Sequence, residues 1–247
     1  MGIGQRARSS LRPLVWSVRR RTLGRSKIRR AVAEARQAGE PVRVVVGGHW
    51  HALDGWLALD ERDQDVTKPL AFDDGSVDAI FCEHVVEHIA LADALRFFAE
   101  AHRVLRPDGI LRVVVPTVEA MLDADLTTPE GQTYMGHTIA HHFSEAEAWV
   151  REHADESLVA AAPHVLFLNF MFYDHGHRFI WTRPLLVDAL RWAGFTSARA
   201  CEIGEGVDPE VCLERRRRGD YLGADPDADR APGTVFNCDS GVAEAVR

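Results

Sequence analysis

Asp73-Asp-Gly-Ser-Val-Asp-Ala-Ile-Phe-Cys-Glu-His-Val-Val-Glu-His88, followed by His102-Arg-Val-Leu-Arg-Pro-Asp-Gly-Ile-Leu-Arg112, is the stretch from which the fold can be read. Val77 to Phe81 is a short β-branched and aromatic run behind the turn Asp73-Asp-Gly-Ser76, which predicts a buried strand. That strand ends on Cys82-Glu83-His84, polar side chains at a carboxyl end, the edge where open α/β sheets hold ligands. Between Ile89 and Leu105, the residues Leu91, Ala94, Leu95, Phe98, Ala101, Val104 and Leu105 recur at helical spacing and predict an amphipathic helix packed on a sheet. Arg106-Pro-Asp-Gly109 stops it, and Ile110 to Val115 is the next buried strand. Strand, helix, turn and strand make one crossover unit.

Upstream, the apolar run Val42 to Val46, broken only by Arg43, leads straight into Gly47-Gly48, as a first buried strand enters a ligand loop. Trp56 to Leu59 is a second strand ending on Asp60. About ten residues separate the two, fewer than a full helical crossover wants, so the first helix is cut to a turn or so. Downstream, residues 117–181 interrupt the alternation and are rich in histidine and aromatics. Pro184 to Ala193 reads as a helix stopped by Gly194, Phe195 to Ile203 as a strand, and Val207 to Arg218 as a short helix. Residues 223–234 have a loop composition, and Val242 to Val246 returns as a last edge strand. There is no internal repeat.

The 247 residues fit one domain with a modest insertion. An apolar content of 46% suffices for a sizeable core. The net charge of −8 is unevenly spread: residues 1–30 hold ten Arg and Lys and no acid. Residues 1–40 are therefore read as a basic helical arm and 41–247 as the domain proper, with an insertion or lid at about 117–181. The arm suits either an anionic partner or packing on its own acidic body, and both readings stand. Ser17-Val-Arg-Arg-Arg-Thr22 lacks the apolar segment of an export signal. Leu158 to Tyr173 is broken by Pro163, His164 and Asn169 and is shorter than the ~20 residues of a membrane span. Cys82, Cys201, Cys212 and Cys238 show no close pairing, which suits a reducing cytoplasm.

Taken in order, Val46-Gly-Gly48, Gly55-Trp-Leu-Ala-Leu-Asp60, Asp65-Val66, Lys68-Pro-Leu-Ala-Phe72, Ser76-Val-Asp-Ala-Ile80, His84-Val-Val-Glu-His88, Arg103 to Arg112, and Asp174-His-Gly-His177 with Trp181 resemble a class I S-adenosylmethionine-dependent methyltransferase. The resemblance is to a bacterial small-molecule and saccharide subgroup that includes actinobacterial methylmannose polysaccharide enzymes. It covers residues 42–116 strongly and 170–218 more weakly. It implies an α/β, Rossmann-like, seven-stranded fold with a shortened first helix and a helical insertion after the fifth strand. It further implies that Gly47 and Gly48 lie against the methionine end of the cofactor, that Asp60 accepts from both ribose hydroxyls, and that Asp65 and Val66 border the adenine. Glu83 and His84 would lie near the sulfonium. Val45 and His49 depart from the pattern, which motivates an alternative: a catalytically impaired methyltransferase-like binding or assembly subunit.

The histidines bear on the reaction. His84-Val-Val-Glu87-His88 also fits the zinc-binding helix of inverted zincins, but that reading leaves the flanking strand and turn unexplained. His88 is then expected to pack on a helix side. The insertion supplies His137, His141, His142, His164, His175 and His177, with Asp174 beside the last two. Methyl transfer from a sulfonium needs alignment and exclusion of water; a hydroxyl acceptor also needs its proton removed, by a base or by a bound cation. The expectation is an O-methyltransferase acting on a sugar or polysaccharide hydroxyl. His84 borders the reacting centre, and His142 or His175 is the base. Asp174 orients that base or binds a divalent cation such as Mg. The expected partners are a small molecule or saccharide and, at most, a second copy as a homodimer. Nucleic acid is not expected, since no Asn/Asp-Pro-Pro-Tyr/Phe motif stands where Cys82-Glu-His84 does.

Overall fold

The computed structural model describes residues 24–47, 54–123, 152–153, 168–174, 176–216 and 240–247. Six strands form one sheet: β1 (Arg43–Val46), β2 (Trp56–Leu59), β3 (Val77–Glu83), β4 (Leu105–Pro116), β5 (Ser197–Cys201) and β6 (Ser240–Val246). The helices are α1 (24–38), α2 (Leu91–Val104), α3 (Val118–Asp123) and α4 (Arg183–Trp192). A π-helical turn at Phe170–Asp174 and two 3-10 turns, Pro209–Val211 and Leu213–Arg216, complete the described elements.

The strand order is β2-β1-β3-β4-β6-β5. β1 pairs in parallel with both β2 and β3, and β3 with β4, whereas β6 runs antiparallel to β4 and β5. From β1 the chain moves outward to β2, then returns to the other flank as β3. The strand order reverses there, and such switch points are where crevices open at the carboxyl ends of α/β sheets.

Alternation along the strands sorts the core. Val44 and Val46 of β1 and Ile80 and Cys82 of β3 face a large cluster with Ile28 of α1, Phe97 and Phe98 of α2, and Leu186 and Leu190 of α4. Val45, Phe81, Val114 and Val242 face the opposite side, against Cys201 and Leu213. The helices thus cover one face, and the 3-10 turns cover the other. Three helices meet the first face because their apolar stripes match it; α2 buries Ala94, Phe97, Phe98, Ala101 and Val104 in one such stripe. Trp181 lies fully buried between Phe98 and Phe179. Thr117 bridges Trp181 in parallel fashion, and Val118 N–H donates to the Trp181 carbonyl at 2.9 Å.

The second face carries charge. Arg112 of β4 is fully buried and donates from Nε to Glu214 Oε2 at 3.0 Å and from Nη1 to Glu244 Oε2 at 3.1 Å. It also donates to the Glu205 carbonyl at 2.9 Å. Burial would lower its pKa, but the two carboxylates outweigh that and raise it. Glu214 in turn accepts from Gly204 N–H, and Glu244 from Val207 N–H, both at 2.8 Å. A segment with almost no regular structure is therefore tied to the sheet through one guanidinium, whose five donors can serve carboxylates and carbonyls together.

The α/β, Rossmann-like class is as expected, with six strands among the described residues. Beyond β2, backbone donors among residues 65–72 are taken by side chains. Thr67 N–H donates to Asp65, Leu70 N–H to Glu100 at 2.8 Å, and Ala71 N–H to Gln64 at 3.1 Å, while Pro69 has no N–H at all. β6 is not an edge: it lies between β4 and β5, and its near-continuous burial suits an inner strand. Arg106-Pro-Asp-Gly109 ends α2 as expected, yet it rides within β4 as an irregularity of register, with Asp108 at φ 63°. Val207 to Arg218 forms the two 3-10 turns in place of one helix over its described part.

Candidate active site

Successive carboxyl ends bring the expected cofactor residues to one edge. Val46 stands opposite Leu59 of β2 and Cys82 of β3. The next residue on each strand is Gly47, Asp60 and Glu83. Gly47 has φ 80°, and its N–H donates to the Leu59 carbonyl at 3.1 Å. A Cβ there would lie 2.5 Å from Val85 Cγ2 and 2.8 Å from the Glu83 carbonyl oxygen. Both the left-handed backbone and the close approach to β3 demand glycine.

Asp60 folds the turn that follows β2: its Oδ1 accepts from Arg62 N–H at 2.7 Å and Asp63 N–H at 3.2 Å. That use of one oxygen fixes the carboxylate at the sheet edge. Asp63 is held in turn by Lys27 of α1 at 2.5 Å, so the basic helix braces the same turn. Asp65 builds its own turn, accepting from Thr67 N–H at 3.0 Å and Thr67 Oγ1 at 2.7 Å. Val66 packs against the core cluster. Arg103 of α2 clamps this loop from below, donating to the Leu70 and Phe72 carbonyls, each at 3.1 Å, and to Asp74 and Glu100.

Beyond β3 the chain turns sharply. His84 sits at φ 50°, unusual for a residue with a side chain, with its N–H bonded to the Val114 carbonyl at 3.0 Å. Residues 84–88 form turns, not a helix, so neither the zincin helix nor a helix-side position for His88 is present. The turn nonetheless draws the polar groups together. His84 Nδ1 lies 3.0 Å from Glu87 Oε1, and His88 Nε2 lies 3.9 Å from the same oxygen. His177 comes in from the far end of the insertion: its ring is 4.9 Å from that of His88, and its Nδ1 meets the Met171 carbonyl at 2.5 Å. Arg178 and Phe179 N–H both donate to the Glu87 carbonyl, at 2.7 and 3.1 Å, and hold the two segments in register.

Glu87 is fully buried. Burial would push its carboxyl up, but the hydrogen bond from His84 and the charges of His84 and His88 outweigh it and hold the carboxyl below its ordinary value. Desolvation lowers the His177 pKa and favours the neutral ring, despite Glu87 nearby. Burial, then Glu87 and Glu83, push the Cys82 thiol well up, so Cys82 stays protonated and is no nucleophile.

The described structure thus gathers Gly47, Asp60, Glu83 and His84 at one edge, with Asp65 and Val66 on the adjoining loop. Gly48, His142 and His175 lie outside the described residues, as does the side chain of Asp174. Sequence reasoning missed Glu87 as the buried centre of the imidazole group. The signal for it was present: a carboxylate three residues after His84, and a His-x-His pair before the Trp181 that enters the core.

Residues 25–113, from α1 into β4, match the methyltransferase domain family. No curated protein matches the chain. Among solved structures, it is similar to an S-adenosylmethionine-dependent methyltransferase from Archaeoglobus fulgidus at 12% identity, over 89% of this chain and 94% of that one, with a TM-score of 0.42. A methyltransferase from Thermotoga maritima, described as a possible histamine N-methyltransferase, shows 15% identity over 96% and 97% of the two chains, with a TM-score of 0.39. A structure of PigF with SAH shows 11% identity and a TM-score of 0.37; the match covers 78% of this chain but only 36% of that protein's length. The family match spans β1 to β3, the strands whose carboxyl ends meet at the switch-point edge. Among the described residues, no helix is long and apolar enough to cross a membrane.

Proposed function

We propose that the protein transfers the methyl group of S-adenosylmethionine to an oxygen nucleophile, a hydroxyl of a sugar or polysaccharide. The observation that carries this reading is the group of three histidines around buried Glu87, placed directly after the strand end that borders the cofactor. A nitrogen or thiol acceptor has less need of such a group, because its proton is lost far more readily than that of an alcohol. A hydroxyl must shed a proton as the O–C bond forms and the C–S bond breaks.

In this reading Gly47 lets the methionine end approach β3, and Asp60 receives the ribose hydroxyls. Asp65 and Val66 border the adenine, while Glu83 and His84 face the sulfonium. His142 or His175 accepts the hydroxyl proton, with Asp174 beside it. Residues 117–181 serve as the lid that covers the acceptor, since both described ends of that segment rise from the carboxyl edge. The lid's main contribution is to exclude water and fix the line of attack.

Purified protein supplied with methyl-labelled cofactor and a panel of saccharides should label a hydroxyl. Labelling confined to amine or thiol acceptors would remove the oxygen assignment. Asp60→Ala should weaken cofactor binding about 10- to 100-fold by calorimetry, the loss expected for a charged hydrogen-bond acceptor. His142→Ala and His175→Ala should lower kcat with the cofactor Kd unchanged.

A further inference from the structure

We infer that Glu87, His88 and His177 bind one divalent transition-metal ion. One ligand atom from each lies within 4.8 Å of the others. The three come from two separated stretches of chain, so their meeting is a product of the fold and not of sequence adjacency.

The carboxylate is the decisive group. Glu87 is 0% exposed, and its Oε2 has no hydrogen-bond partner among the described residues. A buried carboxylate oxygen without a partner is costly, and a cation removes the cost. Its other oxygen is held by His84 Nδ1 at 3.0 Å, which fixes the direction in which Oε2 points. His177 is prepared in the same way: an Nδ1–H donated to the Met171 carbonyl leaves Nε2 as the lone-pair nitrogen. Ligating imidazoles and carboxylates ordinarily have such supporting partners, because these fix the tautomer and the orientation of the ligand.

Donor chemistry selects the ion. Two imidazoles and one carboxylate suit borderline ions such as zinc, iron, cobalt or manganese, whereas magnesium prefers oxygen ligands and water. Around a tetrahedral ion, ligand atoms ~2.1 Å from the metal lie ~3.4 Å apart, so loading draws the side chains in by about 1 Å. His88 is only half-buried, which leaves room for that movement and a path for entry. Three protein ligands leave a coordination position open. If the O-methyl reading above holds, on which this last point alone rests, the open position takes the acceptor hydroxyl.

The test uses the full chain without an affinity tag, stripped with a chelator and titrated with Co²⁺, Zn²⁺ and Mg²⁺ in the absence of cofactor and acceptor. One equivalent of Co²⁺ should bind and produce visible d–d absorption, and Zn²⁺ should displace it while equimolar Mg²⁺ does not. Glu87→Gln and His177→Ala should each weaken binding at least about tenfold, and His153→Ala should leave it unchanged. Because Glu87 is fully buried and His177 partly so, His88→Ala is the companion variant: it changes a half-exposed side chain and must lose binding with its melting curve intact. Absence of the Co²⁺ spectrum, retention of binding in His88→Ala, or preference for Mg²⁺ would overturn the inference. None of these readouts involves methyl transfer, so either result leaves the acceptor question to its own assay.

Discussion

Gly47 shows how one residue type serves both the backbone and the ligand edge. Its φ of 80° lies in the left-handed region, and the space where a Cβ would project is already filled by Val85 and the Glu83 carbonyl. Gly47→Ala should therefore cost stability, about 1–3 kcal/mol from backbone strain alone, and should weaken cofactor binding as β1 and β3 part. Denaturant unfolding and calorimetry on the same variant would measure both, and an unchanged cofactor Kd would place the cofactor elsewhere. This residue was legible in sequence, because a glycine after a β-branched run has few other uses. Glu87 was legible only in part. His84-Val-Val-Glu-His88 sets a carboxylate between two imidazoles, but only the turn after β3 shows that it is the fully buried member of the group.

At the scale of elements, α2 does more than cover the sheet. Arg103, near its end, holds the 65–74 loop through two backbone carbonyls and Asp74, and Glu100 one turn earlier holds Arg103 and the Leu70 N–H. The hydrogen bond from Arg103 is the main reason the Glu100 carboxyl sits below its ordinary value. A depressed carboxylate stabilises the folded state above its unfolded pKa of about 4.3, and that contribution is lost as pH falls through the folded value. Melting temperature should thus drop in acid below about pH 4, and Glu100→Gln should flatten that drop while lowering the plateau at neutral pH. A Glu100→Gln profile parallel to that of the parent would show that the loop is held otherwise. The sequence motif Arg-Val-Leu-Arg-Pro-Asp-Gly announced the end of α2, but not this clamp. Side chains that reach back thirty residues leave no periodic trace.

In the whole molecule, the sheet core was readable because parallel strands buried on both faces are continuous apolar runs. What escaped was the arrangement fixed by long-range partners. β6 enters between β4 and β5, and Arg112 recruits Glu214 and Glu244 from far along the chain to close the second face. Among the described residues, Trp181 is the largest side chain with no exposure, set against two aromatic rings. Trp181→Ala should cost about 3–5 kcal/mol, and chemical denaturation should report it as a lower midpoint. A loss under ~1 kcal/mol would mean that the rings collapse into the vacated space.

The pairing of Thr117 with Trp181 has a consequence for how such a fold diversifies. Both ends of the intervening excursion are fastened side by side, so whatever lies between them is a cassette with a fixed doorway. The entropy of closing a loop grows only with the logarithm of its length. Such a segment can therefore be lengthened, shortened or exchanged at little thermodynamic penalty, while the ladder that carries Gly47 and Asp60 keeps its register. Under the proposed function, acceptor preference can drift through that doorway generation after generation without disturbing the cradle of the donor.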